Sequence, residues 1–501
     1  MTTQMKQQLP LMIIFLLLLL LPMSALAAKD AAELKAAVAN GGTIELSASF
    51  ELGENLTITK DTTINGNGYT ITRADGYTKA LFTVNAGATL TLGDGLVIDG
   101  GNNWAFDTEA YAAARLTENQ YTYADFVTAE AGAPVATAAM IANKGTLNLK
   151  KVTIKNHYST AAGIVTAGVG STTNLSGATL THNTYSGSGV IVNASGKGII
   201  VNLYEGTTIE GNHVGGNHGL FKIYSGATLN MTGGEIKNNT GVGSNGVVVG
   251  LWGTATLDNG EVYRSTFNMS GGSICSNSGV RGGANGRNSA IYLHKNSAMN
   301  MSGGEICHNG GRNSGGIDSN QTTTKLNISG GSVTDNNRVS EGNADITGSF
   351  AEDGAAITGG VFTQDVSTWV GEDCELVLLN NGQWGVYEEN KVYQITYVLD
   401  GGKLAEDDYP VKFVKGMAYQ LPNPTKEGYT FQGWTGGKAQ TPTKDLKVTS
   451  AAEGDVTYTA NWKEIVIPKT GDESNLLLWA AMLVMGAALL AVTRRQLGQA
   501  K

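Results

Sequence analysis

Leu229-Asn230-Met231-Thr232-Gly233-Gly234-Glu235-Ile236 decides the fold, because the chain repeats it. It returns as Phe267-Asn268-Met269-Ser270-Gly271-Gly272-Ser273-Ile274 and as Met299-Asn300-Met301-Ser302-Gly303-Gly304-Glu305-Ile306. It comes again as Leu326-Asn327-Ile328-Ser329-Gly330-Gly331-Ser332-Val333. Looser copies lie upstream, around Leu147-Asn148-Leu149 and Asn174-Leu175-Ser176-Gly177. Three residues after the closing aliphatic side chain stands an Asn: Asn183, Asn212, Asn239, Asn277, Asn309 and Asn336. His157 fills that slot in an earlier copy, and Asn67 and Gln364 extend the series at either end. From His157 the steps are 26, 29, 27, 38, 32 and 27 residues, then 28 to Gln364.

A period near thirty means stacked units. Within each unit the apolar residues alternate over three or four positions and are broken by Gly pairs, which is strand patterning cut by tight turns. Strands this short, with no helices between them, exclude Rossmann and TIM architectures. They build an all-β chain: a right-handed parallel β-helix over residues 28–388, each coil lying about 4.8 Å from the next. A side-chain amide donates and accepts, so an Asn at one fixed phase satisfies itself from coil to coil. A β-sandwich array would not explain that phase. Asp30 to Asn40 reads as a helical cap, with Glu33 three residues after an N-cap Asp30 and Gly41 as the stop. Leu376 to Tyr387 reads as a hairpin through Asn381-Gly382.

Composition agrees. Sixty-eight glycines with only eight prolines exclude collagen and a Pro-rich stalk. Three cysteines, Cys275, Cys307 and Cys374, make no disulfide scaffold. Cys275 and Cys307 hold equivalent repeat positions, at the phase of Lys155, Thr181, Glu210, Lys237 and Thr334. Their Cα atoms are expected about 4.8 Å apart, inside the range a disulfide tolerates, but in-register Cβ vectors suit a bridge poorly; free thiols are expected, with a bridge under oxidising conditions as the alternative. Cys374 is expected to pair with neither.

The formal charge is −9. Removing a leader and a tail that together carry four basic and two acidic residues makes it −11. Nucleic acid and anionic lipid, which need a broadly basic surface, are thereby disfavoured as partners.

The region from Ala31 to Tyr387 resembles the pectin-lyase-like β-helix superfamily, in its Gly/Asn-rich bacterial surface form. That group holds lyases, hydrolases and non-catalytic adhesins, so the resemblance implies fold more than function. After Glu388 the composition shifts. Tyr393-Gln394-Ile395-Thr396-Tyr397-Val398-Leu399-Asp400-Gly401-Gly402, Leu421-Pro422-Asn423-Pro424, Gly428-Tyr429-Thr430-Phe431-Gln432-Gly433-Trp434 and Tyr458-Thr459-Ala460-Asn461-Trp462 follow in order. Together they resemble the internalin-type B repeat, a small β-grasp-like module, over residues 391–464. Tyr397, Phe431, Trp434 and Trp462 are its expected core.

The two ends read as export and attachment. Lys6, the apolar run Leu11 to Leu21 and Ala25-Leu26-Ala27 fit a signal peptide over residues 1–27. Ile467-Pro468-Lys469-Thr470-Gly471 precedes Asp472 and Glu473, an apolar segment over 476–493 and a basic tail over 494–501. This resembles the sortase sorting signal of Gram-positive surface proteins, with Ile for the usual leading Leu. Residues 465–475 are then motif and linker, and 476–493 a C-terminal transmembrane sorting helix. The resemblance implies that a sortase cysteine attacks the Thr470 carbonyl, Gly471 leaves, and Thr470 is joined to a peptidoglycan amine. The membrane is then met only through the sorting helix, before cleavage, and the product is a secreted, wall-anchored protein.

No residue set assigns catalysis. His182, His308 and Asp335 share one phase, Asp318 lies in another strand, and Arg281, Arg287 and Arg312 sit in neighbouring loops. They form no recognisable catalytic motif. His213 and His218 are two loop histidines without a third ligand, so no metal or other cofactor is assigned. The gap between residues 101 and 157 carries Trp104, Tyr111, Tyr121 and Tyr123, which are candidate ligand contacts; the alternative is a flap packing its own aromatics. The reading is an adhesin-like or structural binding protein for a host or environmental glycan or protein. The alternative is a wall-anchored polysaccharide lyase or glycoside hydrolase on the same fold. Three or more charged side chains converging in a groove would favour the enzyme.

Overall fold

A computed structural model describes residues 26–102, 105–114, 123–128, 138–159, 163–185, 191–215, 218–243, 246–254, 260–281, 287–312, 314–338, 342–351, 354–405, 409–466 and 474–498. Trp104, Tyr121, most of the expected signal peptide and the Ile467–Gly471 motif lie outside them.

The repeats stack in parallel and in register. Each full coil contributes to three parallel sheets of 20, 10 and 8 strands, here the first, second and third. In the early coils the first sheet receives two short strands, such as Thr172–Ser176 and Thr179–Thr181. From Thr228–Lys237 onward these fuse into single bent strands, as in Ser265–Cys275 and Ser297–Cys307. The bend falls at the Gly pair. Gly234, Gly272, Gly304 and Gly331 all have φ between 81° and 89°, a region that favours glycine. A Cβ on Gly272 would also stand 2.6 Å from the Gly234 carbonyl of the coil before.

Alternation explains the core. Leu149, Leu175, Leu203, Met231, Met269, Met301 and Ile328 pair in sequence along one inward file, all essentially buried. Ile154, Leu180, Ile209, Ile236, Ile274, Ile306 and Val333 make another. Parallel stacking buries like on like, so one eight-residue phrase suffices for many coils.

Both ends are covered. Helix Ala31–Asn40 buries Leu34 and Val38, and its N-cap Asp30 accepts from the Glu33 N–H at 2.9 Å. Its C-cap is Gly41. At the other end Trp384–Glu388 runs antiparallel both to the last coil strand, Ala355–Phe362, and to Cys374–Leu378. That hairpin closes an edge that would otherwise template another chain.

Cys275 and Cys307 are a disulfide, not the expected free thiols, with Cα atoms 4.6 Å apart. The register was as expected; the inference from it was not. Parallel Cα–Cβ bonds fix the β-carbons but leave each Cβ–Sγ bond free to rotate, and the separation lies inside the range a bridge tolerates. Cys374 is free.

Contacts divide the chain into two compact units, the second holding residues 395–409, 420–448 and 454–501. In it Val456–Glu464 pairs parallel with residues 395–398 and antiparallel with Tyr429–Gly436. Trp434 is fully buried and donates its indole N–H to the Pro422 carbonyl at 2.9 Å. Trp462 donates to the Leu399 carbonyl at 3.0 Å, and Phe431 packs between the two tryptophans. A helix spans Ser474–Gly498, with side chains described from Leu478 to Leu490. Among the described residues no helix is long and apolar enough to cross a membrane.

Candidate ligand-binding face

The repeated Asn forms a buried file. Asn183, Asn212, Asn239, Asn277 and Asn309 each donate their side-chain N–H to the Oδ1 of the next Asn, at 2.9–3.0 Å, ending at Asn336. The same amide donates to a strand carbonyl of the coil before, such as Ile236 for Asn277. Each Asn thus ties three coils. His157 heads the file, its backbone N–H donating to Asn183 Oδ1 at 3.1 Å. Burial drives its imidazole pKa down to about 3. Asp345 ends the file. Its Oδ1 accepts from the Asn336 backbone and side-chain N–H, and its Oδ2 from the Thr363 and Gln364 backbone N–H groups. Gln364 therefore bonds the terminator instead of extending the file. Asn67 is not a member: it is an exposed turn residue with φ 51°.

A second Asn ladder lies on the outside. Asn174, Asn202, Asn230, Asn268, Asn300 and Asn327 each donate to the Asn of the preceding coil, starting at Asn148. Its signal was the Asn inside the repeated phrase.

Several catalytic candidates turn out to be turn residues. Asn156, His182, Gly211, Asn238, Ser276, His308 and Asp335 share one phase, all with φ between 52° and 64°. That left-handed position favours Gly, Asn, Asp and His. It immediately precedes the Asn file and turns the chain into it. His308 and Asp335 meet at 3.8 Å, well exposed. Among the described residues one cluster of metal-ligating type occurs, Cys275, Cys307 and Glu305, and its two sulfurs are bonded to each other.

Within the gap between 101 and 157, the described residues 105–114 and 123–128 pack on the third sheet. Tyr111 is 3% exposed, and its hydroxyl donates to the Ser278 carbonyl at 2.6 Å. It clusters with Phe126, Val242 and Val280. Its candidacy as a ligand contact is corrected, since ring and hydroxyl are both spent in packing. Phe106 stacks on His213 at 3.7 Å, and His213 Nδ1 bonds the Thr240 hydroxyl at 2.6 Å. The side chain of Tyr123 lies outside the described residues.

Chemistry gathers instead on the outer side of the second sheet. Its strands Phe221–Tyr224, Val249–Trp252, Ile291–Leu293 and Ile317–Asn320 bury Phe221, Val249, Ile291 and Ile317 in one register file. The alternate positions face out. One file runs Lys222, Gly250, Tyr292, Asp318, Thr347. The next holds Tyr224 and Trp252, with His294 and Asn320 following on later coils. Tyr224 and Trp252 centroids lie 5.6 Å apart, and Trp252 packs on His294 at 3.6 Å. His218 bonds the Tyr224 hydroxyl at 2.6 Å. Burial lowers the pKa of both His218 and His294 to about 4, so both rings are neutral at pH 7.

Asp318 is fully buried beside them. Arg287 grips it through Nε and through Nη2, the latter at 2.7 Å, and Thr347 donates to it at 2.8 Å. Tyr292 donates to Asn320 at 2.6 Å. Sequence reasoning picked out Arg287 and Asp318 but missed Lys222, Tyr224, Trp252, Tyr292 and His294. Their signal was the alternation in Phe221-Lys222-Ile223-Tyr224 and Ile291-Tyr292-Leu293-His294, which shows only once the coils are in register.

Residues 393–461 match the family model described as Listeria-Bacteroides repeat domain (List_Bact_rpt). No curated protein and no solved structure matches the chain.

Proposed function

We propose that this chain is an adhesin-like surface protein that presents its β-helix to a ligand, with the outer face of the second sheet as the binding site. The observation that carries the reading is the Tyr224–Trp252–His294 row beside the Arg287–Asp318 pair. Aromatic faces next to fixed polar groups are what a glycan or a protein side chain needs. The repeat module at residues 393–461 fits a surface protein. Hydrolysis by paired carboxylates would need a second acid. Lys222, Arg287 and Asp318 do share this face, but its one described carboxylate, Asp318, is held by Arg287 and Thr347, which favours binding over chemistry. A glycan and protein array probed with the full chain tests this. A Trp252→Ala variant should lose most of the bound signal while keeping the wild-type circular dichroism. Full retention of binding by that variant would place the site elsewhere.

Attachment is the second part of the proposal. Sortase would join Thr470 to peptidoglycan, with Pro468 holding the motif extended for the enzyme's cleft. Replacing Pro468 with Ala should move most of the protein from muramidase-released wall material to the membrane or medium. Unchanged wall recovery would refute sortase attachment.

A further inference from the structure

We infer that Arg73, with His157 beside it, holds a small monovalent inorganic anion of the chloride class inside the first coils of the β-helix. Strand Thr70–Arg73 alternates outward and inward, and Arg73 takes an inward place. It pairs in register with Leu52 of the coil before, which is fully buried. A core file thus carries a guanidinium where its neighbour carries an aliphatic side chain. Arg73 is 5% exposed. Its Nη1 donates to the Tyr77 carbonyl at 3.2 Å and the Lys79 carbonyl at 2.6 Å. Its Nε and Nη2 are buried and have no hydrogen-bond partner. Among the described residues the titratable group that steadies its charge is the Tyr77 phenol, which is neutral at pH 7. Glu54 acts on Tyr77 but is itself paired with Lys35 at 2.6 Å. Thr72, Asp99 and Lys155 stack in register, so Arg73, Gly100 and Asn156 follow at the next phase, with His157 one residue on. His157 is fully buried, and neither ring nitrogen has a hydrogen-bond partner. Burial, then the charge of Arg73, hold the ring neutral; the Gly163 backbone opposes them only weakly.

A buried charge is tolerated when it is both paired and hydrogen-bonded. Arg73 is neither on one whole edge. Burial lowers its pKa only to about 10, so it stays charged at pH 7. Nε–H and one Nη2–H point the same way from the guanidinium plane's edge, the fork that grips an anion. One anion there satisfies both donors and cancels the charge. Water would serve the donors but leave the charge. The surroundings set valence and size. Arg73 brings one charge and His157 none, so a monovalent ion leaves the site neutral, and a divalent one would leave a buried negative charge. A neutral imidazole also has one N–H to donate. The three coils approach closely here. A Cβ on Gly101 would stand 3.1 Å from the Arg73 carbonyl, and one on Gly100 would stand 2.5 Å from the His157 Cα. Backbones this close suit a spherical ion and crowd out a carboxylate that carries a carbon chain.

The test melts the full chain in detergent while chloride rises from about 1 to about 100 mM, with gluconate holding the ionic strength constant. The midpoint should climb by about 3 °C and then level off, as it does for a ligand that binds the native chain alone. Bromide should act as chloride does, and sulfate should not. Arg73→Met gives the file an apolar side chain of similar reach, and its midpoint should not respond to chloride. A second measurement needs no variant. Crystals of the wild-type chain grown in sodium bromide should show an anomalous bromide peak within hydrogen-bond reach of Arg73 Nε and Nη2. A wild-type midpoint indifferent to the choice of anion would overturn the inference. So would water density at Arg73 without a bromide peak. A chloride response of equal size in Arg73→Met would place the ion elsewhere and overturn it too.

Discussion

Replacing Asn277 with Ala should cost the β-helix about 3 kcal/mol, while Asn327→Ala should cost under about 1 kcal/mol. The two residues look alike in sequence, since each is the Asn of its own ladder. Their surroundings differ. Asn277 is 1% exposed, and its Oδ1 accepts from both the backbone and the side-chain N–H of Asn239. Its Nδ2 donates to Ile236, Cys275 and Asn309. An alanine leaves the Asn239 backbone N–H buried without an acceptor, and a buried orphan donor costs about 1–3 kcal/mol by itself. The small void and the lost contact to Asn309 add to that. Asn327 makes its ladder bond to Asn300 in the open, where water replaces it. Because coils open locally, the measurement is native-state hydrogen exchange together with a denaturation midpoint. The Asn239 amide should lose protection in Asn277→Ala. Equal small effects from both substitutions would mean that the inner file does not hold the coils.

The contrast shows what a sequence of this kind reveals. The stacking was legible because one inward alternation and one polar phase recur together, and a parallel coil needs both at fixed distance. Asn277 was readable as structural for that reason. The residue before it was not: His182, His308 and Asp335 looked like chemistry, and only their shared positive φ identifies them as a corner. The outer face was the hardest part. Tyr224, Trp252 and His294 lie in different coils with unequal loops between them, so their adjacency depends on a register that loop length hides. Tyr111 misled in the opposite way. An aromatic in an insertion suggests a ligand, but the insertion needed a core of its own and took Val242 and Val280 from the third sheet.

Opening the Cys275–Cys307 bridge should destabilise the chain by about 3–4 kcal/mol on the loop-closure account, since it closes 32 residues of sequence. That effect belongs to the unfolded chain, which regains the freedom of one whole coil. The folded chain should change little. Ile274 and Ile306 remain paired, and the Asn277–Asn309 amide bond spans the same two coils. The double variant Cys275→Ser, Cys307→Ser should therefore bind ligand as the wild type does, yet denature at a lower midpoint. Reductant should shift the wild type to the same midpoint and leave the variant unmoved. The site favours a bridge that reductant can reach, because Cys275 and Cys307 are themselves partly exposed, as is Lys237 in the same phase on the coil before. Thiol titration of the unfolded chain fixes the chemistry independently. One thiol, that of Cys374, should react without reductant, and three with it. Three reactive thiols in the unreduced chain would remove the bridge. One thiol but no midpoint shift on reduction would keep the bridge and show that the coil it closes stays ordered in the unfolded chain, held by the same short-range stacking that makes the repeat.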